Sequence, residues 1–178
     1  VIVPKKFLNY MSSYLTQDDV LLSISESHLS AKVMKDVVST RIIGEKFPDY
    51  ESVIPKENNK ILKSEKDVLL GSIRRVSIFS NKSTHQVAMC LSSKSCQITT
   101  EDPEKSSKAI ESVEAVFEGE DLTIGYNAEY LKDVVSHIPG KTVLAKFSTP
   151  VSAALFSSTS KEKDIENLML LMPIRLND

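Results

Sequence analysis

The chain has 178 residues, 41% of them hydrophobic, and a formal net charge of −2 at pH 7. This length suits one full domain and part of another, because domains usually run to about 100–150 residues. No apolar stretch approaches the roughly 20 residues of a membrane span, and the start lacks the layout of a secretion signal. These features favour a soluble, cytoplasmic protein. Since the chain opens with Val1 inside an apolar run, we expect it to be a fragment of a longer protein.

Cysteine and histidine residues give little support for a disulfide framework or a metal site. Cys90 and Cys96 flank a predicted turn, so a disulfide between them is conceivable, but two cysteines in a cytosolic protein favour reduced thiols. His28, His85 and His137 lie far apart, and no Cys-x-x-Cys or His-x-x-x-His spacing would gather zinc ligands. We therefore expect neither a metal nor a cofactor.

Charged residues are distributed unevenly. Residues 60–82, which are predicted to be helical, carry six basic and two acidic side chains, a net charge of +4. Residues 101–121, predicted to be strand and loop, carry eight acids and two lysines, a net charge of −6. The first 17 residues, again a predicted helix, hold Lys5 and Lys6 and no acid. One interpretation of this pattern is that the protein has two differently charged surfaces. The other is that these are ordinary solvent-exposed charges that cluster by chance.

Hydrophobic periodicity predicts a repeated unit of one helix followed by three strands. The first helix follows Pro4, and its apolar stripe is Phe7, Leu8, Met11 and Leu15. Its strands are Val20–Ile24, Leu29–Val33 and Val37–Ile43. The second helix starts near Glu65, with the stripe Leu69, Ile73 and Val76, and its strands are Gln86–Leu91, Ser95–Thr100 and Ser112–Glu118.

A third unit follows the strand Leu122–Gly125. Asn127 is the predicted N-cap of its helix, which Pro139-Gly140 ends. The predicted apolar side of that helix is Tyr130, Leu131, Val134, Val135 and Ile138. Its strands are Val143–Phe147, Val151–Phe156 and Leu168–Leu176. The chain is therefore predicted to be α+β, and residues 48–60, which lack periodicity, are the predicted linker.

Four motifs in register resemble the bacterial DNA polymerase III beta subunit, the sliding clamp family. They are the segments Ile43–Lys56, Arg75–Asn81, Ile124–Val134 and Leu171–Leu176. The resemblance covers essentially the whole chain. It implies a DNA-clamp fold of repeated units, each a helix followed by three antiparallel strands, with the helices on one face of the sheets. By this resemblance, residues 1–60 are the second half of the middle clamp domain plus the linker, and residues 61–178 are the complete C-terminal domain.

The resemblance also implies the function. Members of the family are non-catalytic processivity factors: a homodimeric ring encircles double-stranded DNA of any sequence and tethers DNA polymerase, the clamp loader and repair proteins through short linear peptides. The basic residues expected to face DNA are Lys5, Lys6, Arg74, Arg75 and Lys132. The peptide groove, between the middle and last domains of the family, is expected to contain Pro48, Val53, Asn127, Tyr130, Val151, Leu170, Met172, Pro173, Ile174 and Arg175. The expected dimer contact is Ile78 with Phe79.

Two other readings are weaker. An enzyme would need a constellation of catalytic side chains, and the Ser, His and Asp content shows no such pattern. A stand-alone peptide-binding module without DNA contact stays open as the alternative, and salt-dependent retention of DNA would separate it from a clamp. The chain departs from the family pattern at two places. Ser52 stands where the family commonly has Arg, and Thr84-His85-Gln86 replaces the usual Phe-Arg-Gly.

Overall fold

The computed structural model describes residues 1–14, 19–159 and 166–176, and the chain divides into two compact units, 1–50 and 51–178. The division falls inside the segment predicted to be a linker. The helices are α1 (Lys5–Tyr14), α2 (Lys66–Ser77) and α3 (Ala128–His137). The strands are β1 (Val20–Ile24), β2 (His28–Val33), β3 (Asp36–Arg41), β4 (Lys60–Glu65), β5 (Gln86–Ser92), β6 (Ser95–Asp102), β7 (Ser107–Glu118), β8 (Leu122–Asn127), β9 (Thr142–Phe147), β10 (Ala154–Ser158) and β11 (Leu168–Leu171).

The first unit is α1 packed on the antiparallel sheet β1-β2-β3. Its core consists of two residues from the helix and three from the central strand: Phe7, Met11, Leu29, Ala31 and Val33. The predicted order of one helix and three strands is confirmed. The alternating apolar residues Leu22 and Ile24 of β1 are not buried, since they are 57% and 60% exposed. A single short helix covers β2 and leaves this neighbouring strand open.

The second unit is an eight-stranded sheet with strand order β11-β10-β9-β4-β7-β6-β5-β8, in which every pairing is antiparallel. Helices α2 and α3 pack against each other and against this sheet. Apolar residues of both helices and of the strands form one core, which includes Leu69, Ile73, Leu131 and Phe156. The α+β class and the repeated helix-and-strands order are thereby confirmed.

Strand β4 corrects the prediction that residues 60–82 are helical throughout. Leu62 and Ser64 are buried while Lys63 and Glu65 are exposed, which is the period of a strand rather than of a helix. The strand pairs with β7 on one side and β9 on the other, so it lies inside the sheet. The helix begins only at Lys66.

Three further boundaries lie at least three positions from the prediction. Strand β7 begins at Ser107, five positions before the predicted start at 112, because its first half pairs with β6. Strand β10 begins at Ala154, since residues 149–152 form a turn. Strand β11 ends at Leu171, shortly before Pro173, which has no N–H to donate to a ladder.

Tyr130, predicted on the apolar side of α3, is 66% exposed.

The two cysteines lie on opposite faces of the β5–β6 hairpin. Leu91, not Cys90, is the partner of Cys96 in the strand register, and successive side chains of a strand point to opposite faces. Both thiols are free, so the conceivable disulfide is not formed. Burial raises the pKa of the Cys96 thiol to about 12. Among the described residues, no helix has the length and apolar character that crossing a membrane requires.

Candidate functional site

The C-terminal segment closes onto the end of β8. The amide of Ile174 donates a hydrogen bond to the carbonyl oxygen of Gly125 at 2.9 Å, and the two residues form an isolated antiparallel bridge. A Cβ atom on Gly125 would lie 2.7 Å from the Ile174 carbonyl oxygen and 2.7 Å from Cδ2 of Leu176. Residue 125 must therefore be glycine for the segment to approach the strand this closely.

A cavity of about 380 Å³ opens beside this bridge. It is lined by Thr123, Gly125, Pro150, Val151, Ile174, Arg175 and Leu176. Its lining is mainly apolar, and its polar side chains are the hydroxyl of Thr123 and the guanidinium of Arg175. A concave apolar surface with a few polar groups is suited to binding the apolar anchors of a short peptide.

Three of the ten predicted groove residues, Val151, Ile174 and Arg175, line the cavity. Four of the other seven are exposed: Tyr130 and Met172 at 66% and 62%, Val53 at 61% in the short 3-10 helix Glu51–Val53, and Pro48 in the first unit. Leu170 and Pro173 are half-buried at the end of β11 and just after it.

Asn127 serves a structural purpose that the sequence predicted. Its Oδ1 atom accepts hydrogen bonds from the amides of Glu129 at 2.9 Å and Tyr130 at 3.4 Å, which caps α3. Its Nδ2 atom donates to the carbonyl oxygen of Thr84 at 3.3 Å. The predicted N-cap is confirmed, and its carboxamide is engaged within the chain at both ends.

Four lining residues were missing from the predicted groove: Thr123, Gly125, Pro150 and Leu176. Gly125 and Leu176 lie inside two of the motifs that carry the family resemblance, so the signal was present for both. Thr123 lies inside the predicted strand Leu122–Gly125 and Pro150 directly precedes a predicted strand, and neither carries a pattern that marks it as a groove residue.

The predicted DNA-facing lysines of the first unit are both accessible. Lys5 and Lys6 are exposed in the first turn of α1, which holds no acidic residue. Positive charges at a helix N-terminus oppose the helix dipole and cost about 0.3–1 kcal/mol each at exposed sites. The two lysines therefore do not stabilise this helix by charge, while they add to a positive potential at its start.

The basic candidates of the second unit differ in how they are engaged. Arg74 and Lys132 line one shallow groove between α2 and α3, together with Glu129 and Asp133. Lys132 pairs with Glu129, with 2.7 Å between Nζ and Oε1, and this bond lowers the pKa of the Glu129 carboxyl. Among the described residues, Arg74 has no carboxylate within ion-pair distance.

Arg75 forms a bidentate ion pair with Glu111 on β7. Its Nε and Nη2 atoms each lie 2.7 Å from one carboxylate oxygen. The guanidinium lowers the pKa of the Glu111 carboxyl, and the carboxylate in turn raises the pKa of Arg75. The charge of Arg75 is thus matched within the chain.

Exposed apolar side chains lie at the end of α2 and on β7. Ile78 is 76% exposed and Phe79 is 46% exposed, while Ile110 is 52% exposed on the face of β7 opposite to Glu111, which contacts α2. In the described part of the sheet, the first half of β7 pairs only with β6, and its other edge is open. An open edge beside exposed apolar side chains is a surface on which another chain can pair.

Comparison with known proteins decides the family. Residues 51–175 match the model of the DNA polymerase III beta subunit, C-terminal domain. This chain belongs to the DNA polymerase III beta subunit family. A beta sliding clamp from Vibrio cholerae is 30% identical over 99% of the chain and 48% of its own length, and the one from Escherichia coli is 26% identical over the same shares. The chain therefore spans about half the length of the curated relatives it matches.

Solved structures of this family share the fold. A DNA polymerase sliding clamp from Pseudomonas aeruginosa, crystallised with a ligand, has a TM-score of 0.92 at 29% identity, over 99% of this chain and 48% of that one. A sliding clamp from the same organism bound to griselimycin has a TM-score of 0.91 at 28% identity, over 99% of this chain and 47% of that one. The clamp fold expected from the sequence is confirmed.

Proposed function

We propose that this chain is part of a sliding clamp, a processivity factor that encircles duplex DNA and tethers polymerases and repair proteins. The observation that carries the proposal is the cavity that the terminal motif forms with β8, in a chain whose fold matches beta subunits. In this function the chain is not an enzyme, acts in the bacterial cytoplasm at the nucleoid, and needs no cofactor. We further propose that residues 1–60 are half of a middle clamp domain with the linker and that residues 61–178 are the C-terminal domain.

Peptide binding follows from the chemistry of the cavity. Apolar anchors such as Leu and Phe would be buried against Val151, Ile174 and Leu176. Burial of such anchors supplies affinity, while a few polar groups set the orientation of the peptide. Exposed Met172, two residues before the lining residue Ile174, adds a flexible side chain that can adapt to several partner peptides. One groove would thus serve polymerases, the clamp loader and repair proteins in turn.

Titration of a fluorescent peptide containing Gln, Leu and Phe against the 178-residue chain tests the groove. Met172→Ala with Ile174→Ala should lower the affinity at least about tenfold, which is ~1.4 kcal/mol. Val68→Ala with Val116→Ala removes two exposed apolar side chains of the same unit that lie outside the cavity, and should leave the affinity unchanged. Griselimycin should compete with the peptide. Equal affinity of the groove variant and the parent would place the peptide site elsewhere.

DNA binding rests on basic side chains of the helices that have no carboxylate partner in the described part of the chain. Attraction to phosphates without contacts to base edges lets a protein slide along any sequence. Lys5 and Lys6 are exposed at the start of α1, where the partial positive charge of the helix terminus adds to theirs. Arg74 on α2 supplies a further charge that no carboxylate of residues 1–14, 19–159 and 166–176 matches, whereas Arg75 and Lys132 already have carboxylate partners.

Salt dependence of DNA association by the full-length protein tests this part. Lys5→Ala with Lys6→Ala should weaken association equally for all sequences and reduce the salt slope by about 0.9 for each phosphate that the protein no longer neutralises. Lys35→Ala with Lys46→Ala removes two exposed lysines outside the helices and is the matched control. An unchanged slope in the first variant would make Lys5 and Lys6 ordinary solvated charges. Absence of DNA association in the parent would favour the stand-alone peptide-binding module.

A further inference from the structure

We propose that Asn58 is a positioning residue for the peptide groove, because it ties together the two ends of the loop that carries Pro150 and Val151. The inference rests on the proposed peptide-binding function and adds a residue that touches no peptide itself. Asn58 lies two residues before β4, in the segment without regular secondary structure that precedes the strand.

A single side-chain amide makes both bonds. The Nδ2 atom of Asn58 donates to the carbonyl oxygen of Lys146 at 2.9 Å and to that of Ala153 at 2.9 Å. Lys146 lies at the end of β9 and Ala153 directly precedes β10, so these carbonyls flank the loop 148–152. The antiparallel ladder between the two strands reaches only as far as the pair Lys146 and Leu155. Asn58 therefore closes the base of the loop beyond the point where strand pairing ends.

The position of Val151 depends on the hydrogen bonds that hold the backbone of its loop. Its side chain is 61% exposed, so packing against the core does not fix it. The tip of the loop is a turn in which Ser152 N–H donates to the Thr149 carbonyl oxygen at 3.3 Å, and the two hydroxyl groups are 2.6 Å apart. The turn sets the shape of the tip, and Asn58 sets where the tip stands relative to β9 and β10.

The chemistry of the amide explains why asparagine suits this place. Two carbonyl oxygens require two donors, and the NH₂ group of Asn supplies both from one atom. The Oδ1 atom is buried and has no hydrogen-bond partner among the described residues, so the bonds come from the donor side alone. An aspartate would direct a carboxylate at two carbonyl oxygens, which repels them and should open the loop further than an alanine does.

Peptide titration of the 178-residue chain tests the proposal. Asn58→Ala should weaken binding of the Gln-, Leu- and Phe-containing peptide about threefold to tenfold, and Asn58→Asp should weaken it more. Asn59→Ala, a change at the exposed neighbouring asparagine, is the matched control and should bind as the parent does. Thermal unfolding of each variant shows whether the chain stays folded at the temperature of the titration.

A double-mutant cycle separates positioning from a general loss of structure. If Asn58 acts through the loop, the losses of affinity in Asn58→Ala and Val151→Ala should not add, whereas those in Asn58→Ala and Met172→Ala should add. Amide hydrogen exchange of residues 151 and 152 should be faster in Asn58→Ala without peptide. Additive losses with Val151→Ala, or unchanged exchange, would overturn the inference alone. A parent chain that binds no peptide would overturn the proposed function and this inference with it.

Discussion

The close approach of the C-terminal segment to β8 makes Gly125→Ala the sharpest test of the site. The added Cβ atom would lie 2.7 Å from the Ile174 carbonyl oxygen and 2.7 Å from Cδ2 of Leu176. The leucine can rotate away, but the carbonyl belongs to a backbone held by the bond from Ile174 N–H to the Gly125 carbonyl oxygen. The segment must shift, and the three lining residues of the cavity that it carries, Ile174, Arg175 and Leu176, shift with it.

The expected cost combines two effects. Overpacking of a well-fitted contact costs about 1–3 kcal/mol. Loss of the bridging hydrogen bond would add about 0.5–1.5 kcal/mol if the segment detaches. Gly→Ala also stabilises by about 0.4–1 kcal/mol through the unfolded chain, which offsets part of this. We expect a net loss of about 1–3 kcal/mol in the free energy of unfolding and at least a tenfold loss of peptide affinity.

Gly44→Ala is the matched control, because nothing lies within 4 Å of a Cβ atom at that position. It carries the same unfolded-state effect without the close approach. Urea denaturation of both variants and the parent, together with the peptide titration, measures the two quantities. Equal stability and equal affinity in Gly125→Ala and Gly44→Ala would refute the claim that the terminal segment is held against β8 and forms the cavity.

Three further predictions follow from other contacts. Asn127→Ala should lower the free energy of unfolding by about 0.5–2 kcal/mol in urea denaturation, because it removes the cap of α3. The lowered pKa of Glu111 means that its carboxylate adds stability above its ordinary pKa of 4.5, and that this stability is lost as pH falls through the lowered value. Thermal unfolding of Glu111→Gln between about pH 6 and pH 3 should therefore show a weaker acid dependence than the parent. We propose that Ile78 and Phe79 contact the other subunit of a homodimeric clamp, so Ile78→Ala with Phe79→Ala should weaken that dimer by a few kcal/mol in the full-length protein. The 178-residue chain should sediment chiefly as a monomer, and a stable ring of this chain alone would contradict that.

Long elements with a strong period were predictable from the sequence. The stripe Leu69, Ile73 and Val76 is buried on α2, and Asn127 caps α3 as its position before an apolar run predicted. Both depend on neighbours within a few residues along the chain. Strand β4 was missed because its six residues include two lysines and a glutamate and continue directly into α2. Its partners β7 and β9 are far along the chain and leave no local signal.

The candidate site shows the same limit. The resemblance identified the terminal motif and the strand before α3 as parts of the candidate site. It did not reveal that the two segments touch at Gly125. Asn58 stands in a segment predicted only to be a linker, and its bonds reach carbonyl groups 88 and 95 residues away. Asn58 can hold this loop only after folding has brought the distant strands β4, β9 and β10 side by side, so the sequence near Asn58 gives no sign of its role.

Arg74 and Arg75 show why a count of charges could not rank the residues that we propose to face DNA. Neighbours on a helix point about 100° apart, since 3.6 residues make one turn. Arg75 thereby meets Glu111, 36 residues further along the chain, while Arg74 faces the groove beside α3. A phosphate that approached Arg75 would have to displace a bidentate carboxylate, one of the stronger bonds a guanidinium makes. Of this adjacent pair, only Arg74 can add to the attraction of DNA without first breaking a bond that holds α2 to β7.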